Sequence, residues 1–312
     1  MPLTLADVKS LSQDKLTNYV IDEFRKSPLL DAMVFDNTVK PQGGQSMAYV
    51  YNRVSTLPTA ATRAINSEYT PQEAKTKQIT VNLAVFGGSF QIDRVIAEHE
   101  KQVISDLVQF QIAQKTKATR ALFCDQFING NSTGSTNQFD GLDKAIKSSS
   151  TDYTIADEGL DLSTPAKIKE NAAALRYHIR KVMAKMDGSP TLAIMSRDMF
   201  AVMQSVADES TGYTATRSDL GDTILKYGNT TLMDIGDKPG SSDSIISSND
   251  IYFVRIGLDG VHAVSPSGSG LVKTYLPNFS EPGAVKTGEV EMVAAMALKA
   301  TRSAAVLRGI NI

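Results

Sequence analysis

The chain has 312 residues, with 32 Lys+Arg against 34 Asp+Glu, one cysteine, three histidines and no tryptophan. At roughly 150 residues per domain this is one large or two ordinary domains, long enough to bury about three quarters of the unfolded surface. A composition of 42% hydrophobic and 21% charged residues excludes wholesale disorder, and the near-neutral balance excludes a chain that as a whole neutralises nucleic acid charge for charge. The lone Cys124 excludes an intrachain disulfide and a Cys-based zinc site. The start, MPLTLADVKSLSQDK, has no apolar core of signal-peptide length, and no run approaches the roughly 18 apolar residues of a membrane span. A protein made in a reducing cytoplasm, with no membrane partner, is expected.

Residues 1–43 read as a tether. Leu16, Val20, Ile21 and Phe24 recur at helical spacing, Leu29, Leu30, Met33 and Val34 follow Pro28, and Pro41-Gln42-Gly43-Gly44 ends the segment. A β-rich stretch follows. Met47, Tyr49 and Tyr51 occupy alternate positions, and Ile79, Val81, Leu83 and Val85 alternate with Gln78, Thr80, Asn82 and Ala84, which predicts strands with one apolar face. Between them, residues 56–76 are polar or small, contain Pro58 and Pro71 and lack a helical period. The pattern predicts a long two-stranded ribbon with a polar tip, broken by Gly87-Gly88 and resumed at Phe90 and Ile92.

From Arg94 to Ile128 there is neither Gly nor Pro, and Ile96, Val103, Ile104, Leu107, Val108, Phe110, Ile112, Ala118, Ala121 and Leu122 make a helical stripe. At about 1.5 Å per residue this is a helix of about 50 Å. It lacks a strict heptad, so it reads as the spine of an extended domain rather than a coiled coil. Asn129-Gly130 stops it, a Ser/Thr/Gly loop runs to Gly141, and Leu142–Ile146 follows. Thr164-Pro165 opens a helix as N-cap and first-turn proline, with the stripe Ile168, Ala172, Leu175, Ile179, Val182, Met183 and Met186, closed by Asp187-Gly188. Thr191–Met195 reads as a buried strand and Arg197–Val206 as a short helix. Gly228-Asn229 sits between β-like flanks. Ile251–Ile256 and Val261–Val264 flank Asp259-Gly260, a hairpin signal. A Ser/Gly loop occupies 265–270, and the tail alternates through Val290, Met292, Ala294, Met296 and Leu298 before a strand at Ala304–Ile310.

The chemistry-bearing patterns are weak. His99-Glu100 begins a zinc-protease motif whose second histidine is replaced by Val103. His178 and His262 stand without a Cys or carboxylate cluster, and each reads as a surface or partly buried histidine. Asn129, Asn131, Thr133, Gly134 and Asp140 mimic a calcium-loop spacing, but one carboxylate cannot offset the dehydration of a hard dication. Gly268-Ser269-Gly270 lacks the third glycine of a dinucleotide loop. There is no GxxxxGK[ST] phosphate loop and no Gly-x-Ser-x-Gly elbow. No catalytic residue, metal site or cofactor is expected, and the chain does not read as an enzyme.

The ribbon is the informative feature. A two-stranded ribbon is marginal alone in water and its apolar face needs a cover. Either it folds onto its own core, or it and the N-terminal tether reach a neighbouring copy.

The order of these parts resembles the major capsid proteins of tailed bacteriophages, the Hong Kong 97-type shell fold. The most specific stretch is Phe127-Ile-Asn-Gly-Asn131 leading to Phe139-Asp-Gly-Leu142; Thr191-Leu-Ala-Ile-Met-Ser196 followed by Arg197-Asp-Met-Phe200 is also similar. The resemblance implies an α+β Hong Kong 97-like capsid fold with an N-terminal arm (1–43), an extended loop or E-loop (44–88), a peripheral domain (89–155 with 277–312) and an axial domain (156–276). In that family the E-loop lies over an adjacent subunit. The inter-subunit contact candidates are Leu16, Val20 and Phe24 in the arm and Tyr49, Tyr51, Arg63, Glu68, Ile79, Val81 and Leu83 in the loop. Lys75 and Lys77 lie in the loop, but no residue match assigns them a covalent link. With about 43 residues before the ribbon, a separate scaffold protein, or none, is implied.

The function this implies is a major capsid protein that self-assembles from pentamers and hexamers into an icosahedral head enclosing double-stranded DNA without sequence-specific binding. Its other partners would be a portal protein and a decoration protein. Its place would be the virion, after assembly in the bacterial host cytoplasm. A mildly anionic or mixed face would release packed DNA more readily than a basic one. The alternatives are an encapsulin-like nanocompartment shell, a phage tail or adhesin component, and a doubly wound α/β enzyme built on 156–276.

Overall fold

A computed structural model describes residues 28–39, 47–56, 58–99, 101–135, 137–155, 159–209, 213–217, 223–267 and 272–312. The arm candidates Leu16, Val20 and Phe24, the Pro41–Gly44 punctuation, Glu100 and Gly268-Ser269-Gly270 lie outside these residues.

A one-turn helix α1 (Pro28–Ala32) leads into β1 (Phe35–Val39). Leu29, Leu30 and Met33 are buried, as their spacing predicts, whereas Val34 is exposed. The ribbon strands are β2 (Ala48–Thr56) and β3 (Lys75–Asn82), followed at once by β4 (Ala84–Asp93). The helices α2 (Arg94–His99) and α3 (Lys101–Asn129) form the spine. Next come α4 (Leu142–Ile146), β5 (Asp152–Thr154), β6 (Leu160–Asp161), α5 (Pro165–Met183), β7 (Leu192–Met195) and α6 (Arg197–Asp208). Three short strands follow, β8 (Tyr213–Arg217), β9 (Thr223–Tyr227) and β10 (Thr230–Asp234). The chain ends with β11 (Ile251–Val254), β12 (Val261–Pro266), β13 (Val272–Tyr275), β14 (Val285–Leu298), β15 (Ala304–Arg308) and β16 (Ile310–Asn311).

Two sheets carry the fold. The first runs β1-β12-β14-β13, with β4 along the opposite edge of the fourteen-residue β14. The second is seven-stranded, β5-β15-β11-β7-β10-β9-β8. Its pairs are mixed: β7–β10 and β5–β15 are parallel, and the others antiparallel. This mixture does not form the doubly wound parallel sheet of the enzyme alternative. Helices α5 and α6 cover one face of the second sheet, burying Leu175, Ile179, Met199 and Met203 against Ala193, Met195, Phe253 and Leu307. Leu192, Ile194, Val254 and Val306 turn the other way, into a core shared with α3 and α4. Strands covered on both faces show unbroken apolar runs, hence Leu192-Ala-Ile-Met195. Thr164 caps α5 by accepting from Lys167 N, and Ser196 caps α6 by accepting from Met199 N.

The other core is aromatic. Phe86, Phe123 and Phe139 meet in pairs with ring centroids 5.7–6.1 Å apart, and Phe127 joins them. Such tilted and edge-on pairs add to plain area burial.

The stretch 94–128 is helical at every described residue, with α2 tied to the first sheet by Arg94 N donating to Ala284 O at 2.7 Å. Four expectations need correction. The buried side of α3 is Leu107, Thr119, Phe123, Cys124, Phe127 and Ile128; Val108, Phe110, Ile112, Ala118, Ala121 and Leu122 are only half-buried. Gly87-Gly88 does not break the strand: a Cβ at Gly87 would lie 2.3 Å from Val290 O, so the glycine permits close approach of β4 to β14. The alternation also shifts phase at Leu83, leaving Val85 exposed and Ala84 and Phe86 buried.

Finally, β11 and β12 are not a hairpin. Each joins a different sheet, and the Asp259-Gly260 turn carries the chain from one to the other. The 3-10 turn Thr301–Ser303 makes a second crossing, from β14 to β15. The two crossings are laced together by Arg255 N to Ser303 O (2.8 Å) and Lys299 N to Gly260 O (3.1 Å). His262 on β12 is wholly buried, beyond the partial burial expected for it.

Candidate assembly interface at the ribbon

In β2–β3 the register pairs Tyr49 with Val81, Tyr51 with Ile79 and Arg53 with Lys77. Period-two alternation puts these on one face, and that face turns toward the chain's own body. Tyr51 OH donates to Leu298 O (2.8 Å), Arg53 Nε donates to Lys299 O (3.1 Å), and Arg53 Nη2 also reaches Leu298 O. Leu298 ends β14 and Lys299 follows it, so the two side chains clamp the ribbon root. Burial pushes the Tyr51 hydroxyl above its ordinary range, against the opposing pull of Arg53. Tyr49, Tyr51 and Leu83 pack over Val39, Val264 and Ala297. A groove of about 430 Å³ remains between this face and the 132–140 loop, bordered by Arg53, Ile79, Val81, Phe139 and Leu298.

The distal half behaves differently. Every described residue from Val54 to Gln78 is exposed. The tip is nonetheless shaped. Ser67 N donates to Ala64 O (3.2 Å), Arg63 Nη1 donates to Ala64 O and Ser67 O (3.2 Å each), and the guanidinium lies 5.3 Å from the Tyr69 ring centroid. This turn presents Ile65, 91% exposed. The outward face (Val50, Asn52, Val54, Thr76, Gln78, Thr80) carries no charge.

The expected contact residues therefore divide. Tyr49, Tyr51, Val81 and Leu83 meet the chain's own body and Ile79 borders the groove, while Arg63 and Glu68 stand on the free tip. Sequence reading missed Val50, Val54, Ile65 and Tyr69, all exposed on the ribbon, because an isolated apolar residue in a polar stretch has no periodicity to mark it.

Beneath the root lies His262. Its ring meets Tyr49 edge-on at 5.8 Å, and its nitrogens make no well-formed hydrogen bond among the described residues, although the Gly257 and Gly260 backbone lies close enough to oppose the loss of its proton. Lys299 Nζ lies 5.7 Å from the Tyr49 ring centroid, and Tyr49 OH donates to Asp36 Oδ2 at 3.1 Å. Burial first, and the Lys299 charge second, depress the imidazole pKa, with Asp36 opposing. A depressed histidine binds fewer protons folded than unfolded, so its stabilisation is complete above about pH 6.5 and is lost as pH falls toward the folded value. Melting temperature is expected to drop between pH 7 and 5, and His262→Leu to remove the larger part of that drop. The remainder belongs to His178, depressed by burial and by Lys181. An unchanged slope in the variant would refute this assignment.

The calcium-like loop holds its own cation. Lys144 Nζ donates to Asn131 Oδ1 (3.0 Å), Thr133 Oγ1 (2.7 Å) and Asp140 Oδ1 (2.7 Å), filling the centre of the oxygen cluster. The glycines of this motif serve close approach: a Cβ at Gly130 would lie 2.4 Å from Phe139 O, and one at Gly141 2.4 Å from Ile128 O. The Asn-Gly…Asp-Gly-Leu signature thus closes the loop over the aromatic core. Among the described residues no cluster of three His, Cys, Asp or Glu could hold a metal, and no helix is long and apolar enough to cross a membrane.

Neither a protein-family model nor a curated protein matches the sequence. Solved structures do match in shape. The chain is similar to the capsid of cyanophage A-1(L), at 15% identity and TM-score 0.62 over 99% of this chain and 100% of that one. It is similar to the capsid of a native GTA particle, at 10% identity and TM-score 0.61 over 95% and 97%. It is also similar to the SrpI encapsulin of Synechococcus elongatus PCC 7942, at 12% identity and TM-score 0.60 over 99% and 97%. Matches that span the ribbon, the spine and both sheets establish the architecture expected from the sequence: the chain has the α+β, Hong Kong 97-like fold of tailed-phage capsid proteins.

Proposed function

We propose that this chain is a structural subunit that self-assembles into a closed icosahedral shell enclosing double-stranded DNA: a major capsid protein of a tailed bacteriophage. One observation carries the reading. The ribbon is clamped at its root by Tyr51 and Arg53, yet every described residue from Val54 to Gln78 is exposed. A bare two-stranded ribbon is marginal in water, and an uncharged outward face invites pairing; a neighbouring copy supplies the cover. Such head-to-tail contacts close into rings, and many weak contacts along a ribbon act together. The shell proteins similar in fold support this reading.

In this reading residues 1–43 are the arm and 44–88 the E-loop. The peripheral domain is 89–155 with 277–312 and the axial domain 156–276; strand pairing across these bounds, β5 and β15 with β11 and β12 with β14, supports drawing β5 and β15 with the axial domain and β12 with the peripheral one. The arm residues Leu16, Val20 and Phe24 and the tip residues Arg63 and Glu68 face neighbours. Portal, scaffold and decoration proteins complete the particle, which assembles in the host cytoplasm.

The same fold in an encapsulin makes cargo the competing content. Particles isolated from the native source are expected to protect double-stranded DNA from nuclease; particles filled instead with a protein cargo would overturn the DNA-enclosing reading.

A further inference from the structure

The near-neutral chain has one strongly basic element. Residues 165–185, helix α5 and its exit, hold six Lys or Arg and only one acidic residue, Glu170. The buried stripe of α5 (Ile168, Ala172, Leu175, Ile179, Val182) faces the seven-stranded sheet. That leaves Tyr177 exposed opposite the stripe, Lys169 and Arg180 exposed on one flank and Lys181 exposed on the other, with Lys185 half-buried at the end of the Lys181 flank.

Two features separate this stripe from an ordinary solvated face. Its cations lie among aromatic rings: Lys181 Nζ is 5.5 Å from the Tyr153 ring centroid and 5.7 Å from that of Tyr177, and Lys185 Nζ is 4.7 Å from Tyr153. Among the described residues no ion pair within the salt-bridge distance involves Lys169, Lys181 or Lys185, whereas Lys144, Lys167, Arg255 and Arg308 each hold an aspartate. The end of the stripe is fixed by Arg302 Nε donating to Lys185 O at 3.0 Å. The lowered pKa of His178, caused by burial and then by Lys181, registers the same positive field.

We propose that the exposed face of α5 binds the phosphate backbone of double-stranded nucleic acid, with Lys169, Lys181 and Lys185 as phosphate contacts. From Lys169 to Lys185 the rise is about 24 Å at about 1.5 Å per residue, and at about 3.6 residues per turn Lys169 lies on the opposite flank of the helix from Lys181 and Lys185, so the three straddle the exposed face and can reach phosphates on the two sides of a groove. Such contacts read no sequence, as suits a container. The inference rests on the DNA-enclosing reading and sharpens it: the chain as a whole does not grip DNA, but this face does.

Fluorescence anisotropy of the full-length protein with a labelled random-sequence duplex of about 30 base pairs tests it, across about 50 to 200 mM salt. Wild type is expected to bind with a steep salt dependence. K169Q/K181Q/K185Q is expected to weaken binding about tenfold or more and to make the slope shallower by about 2.7, roughly 0.9 per phosphate contact. The ribbon variant K75Q/K77Q, matched for kind of change, is expected to bind as wild type. No binding by wild type, unchanged binding by the triple variant, an equal loss in the ribbon variant, or preferential binding of polyglutamate over duplex would each overturn the proposal. Negative-stain images of the same proteins separate it from the shell reading. The anisotropy is read on subunits kept below the assembly concentration, where unassembled wild type that ignores the duplex would overturn the patch alone, whereas duplex binding lost in the triple variant, with no shells formed by wild type at high concentration, would uphold the patch and remove the shell.

Discussion

Replacing Arg308 by Met is expected to cost about 2–3 kcal/mol of stability at neutral pH. Arg308 on β15 donates to Asp143 (2.6 Å) on α4, Asp152 (3.0 Å) on β5 and Asp250 (2.7 Å) before β11. Tyr252 OH adds a bond to Asp143 at 2.9 Å. One guanidinium therefore ties together four segments at the end of the seven-stranded sheet. Removing it leaves three carboxylates converging on an uncompensated site. Breaking a buried pair costs about 3–5 kcal/mol, reduced here because part of the cluster is wet. The pH response supplies a sign. Burial opposes ionisation of Asp143, but Arg308 and Tyr252 outweigh it and hold the carboxyl below its usual range. In wild type that contribution is lost as pH falls below about 4. In the variant the carboxylates repel one another, so acidification from pH 7 to 5 is expected to recover part of the loss. Urea denaturation at the two pH values measures both. A loss under about 1 kcal/mol at pH 7 would show that the cluster is peripheral.

The second large effect is on assembly rather than stability. Arg53 and Lys77 face each other across the ribbon, so residues 54–76 can be replaced by an Asn-Gly turn that closes the strands in register. The clamp from Tyr51 and Arg53 to Leu298 and Lys299 stays intact. The excised residues touch no core, since every described one is exposed. The shortened chain is expected to keep its circular dichroism and to melt within about 2 °C of wild type, yet to remain a small species where wild type assembles. Unfolding on excision would show that the distal ribbon belongs to the subunit's own core, and normal shells would show that it contributes no lattice contact.

The ribbon itself was legible in the sequence because Ile79, Val81 and Leu83 alternate with polar residues. Which way its apolar face turns was not, since alternation names a face and not its cover. The structure divides the question: the root lies on its own body and the tip on none. Helix α5 was legible from Thr164-Pro165 and its stripe, because caps and 3.6-residue spacing are local, and α6 was expected over Arg197–Val206 without its Ser196 cap being read. The pairing of β11 and β12 was not. Both are buried on each side, so their apolar runs carry no face signal, and Asp259-Gly260 looks alike whether it folds a hairpin or passes between sheets. The Arg308 cluster left no trace either. Asp143, Asp152 and Asp250 are brought together only by the sheet order, and no spacing along the chain announces them. The calcium-like loop shows the converse: the oxygen spacing was visible, but the cation that fills it, Lys144, lay just beyond the motif.

Negative-stain electron microscopy of the purified full-length protein tests the central claim most directly. Closed polyhedral shells, or sheets of hexamers, are the expected result at high protein concentration. A protein that stays a monodisperse monomer there, with its fold intact, would contradict the claim that this chain is built to enclose a space with copies of itself.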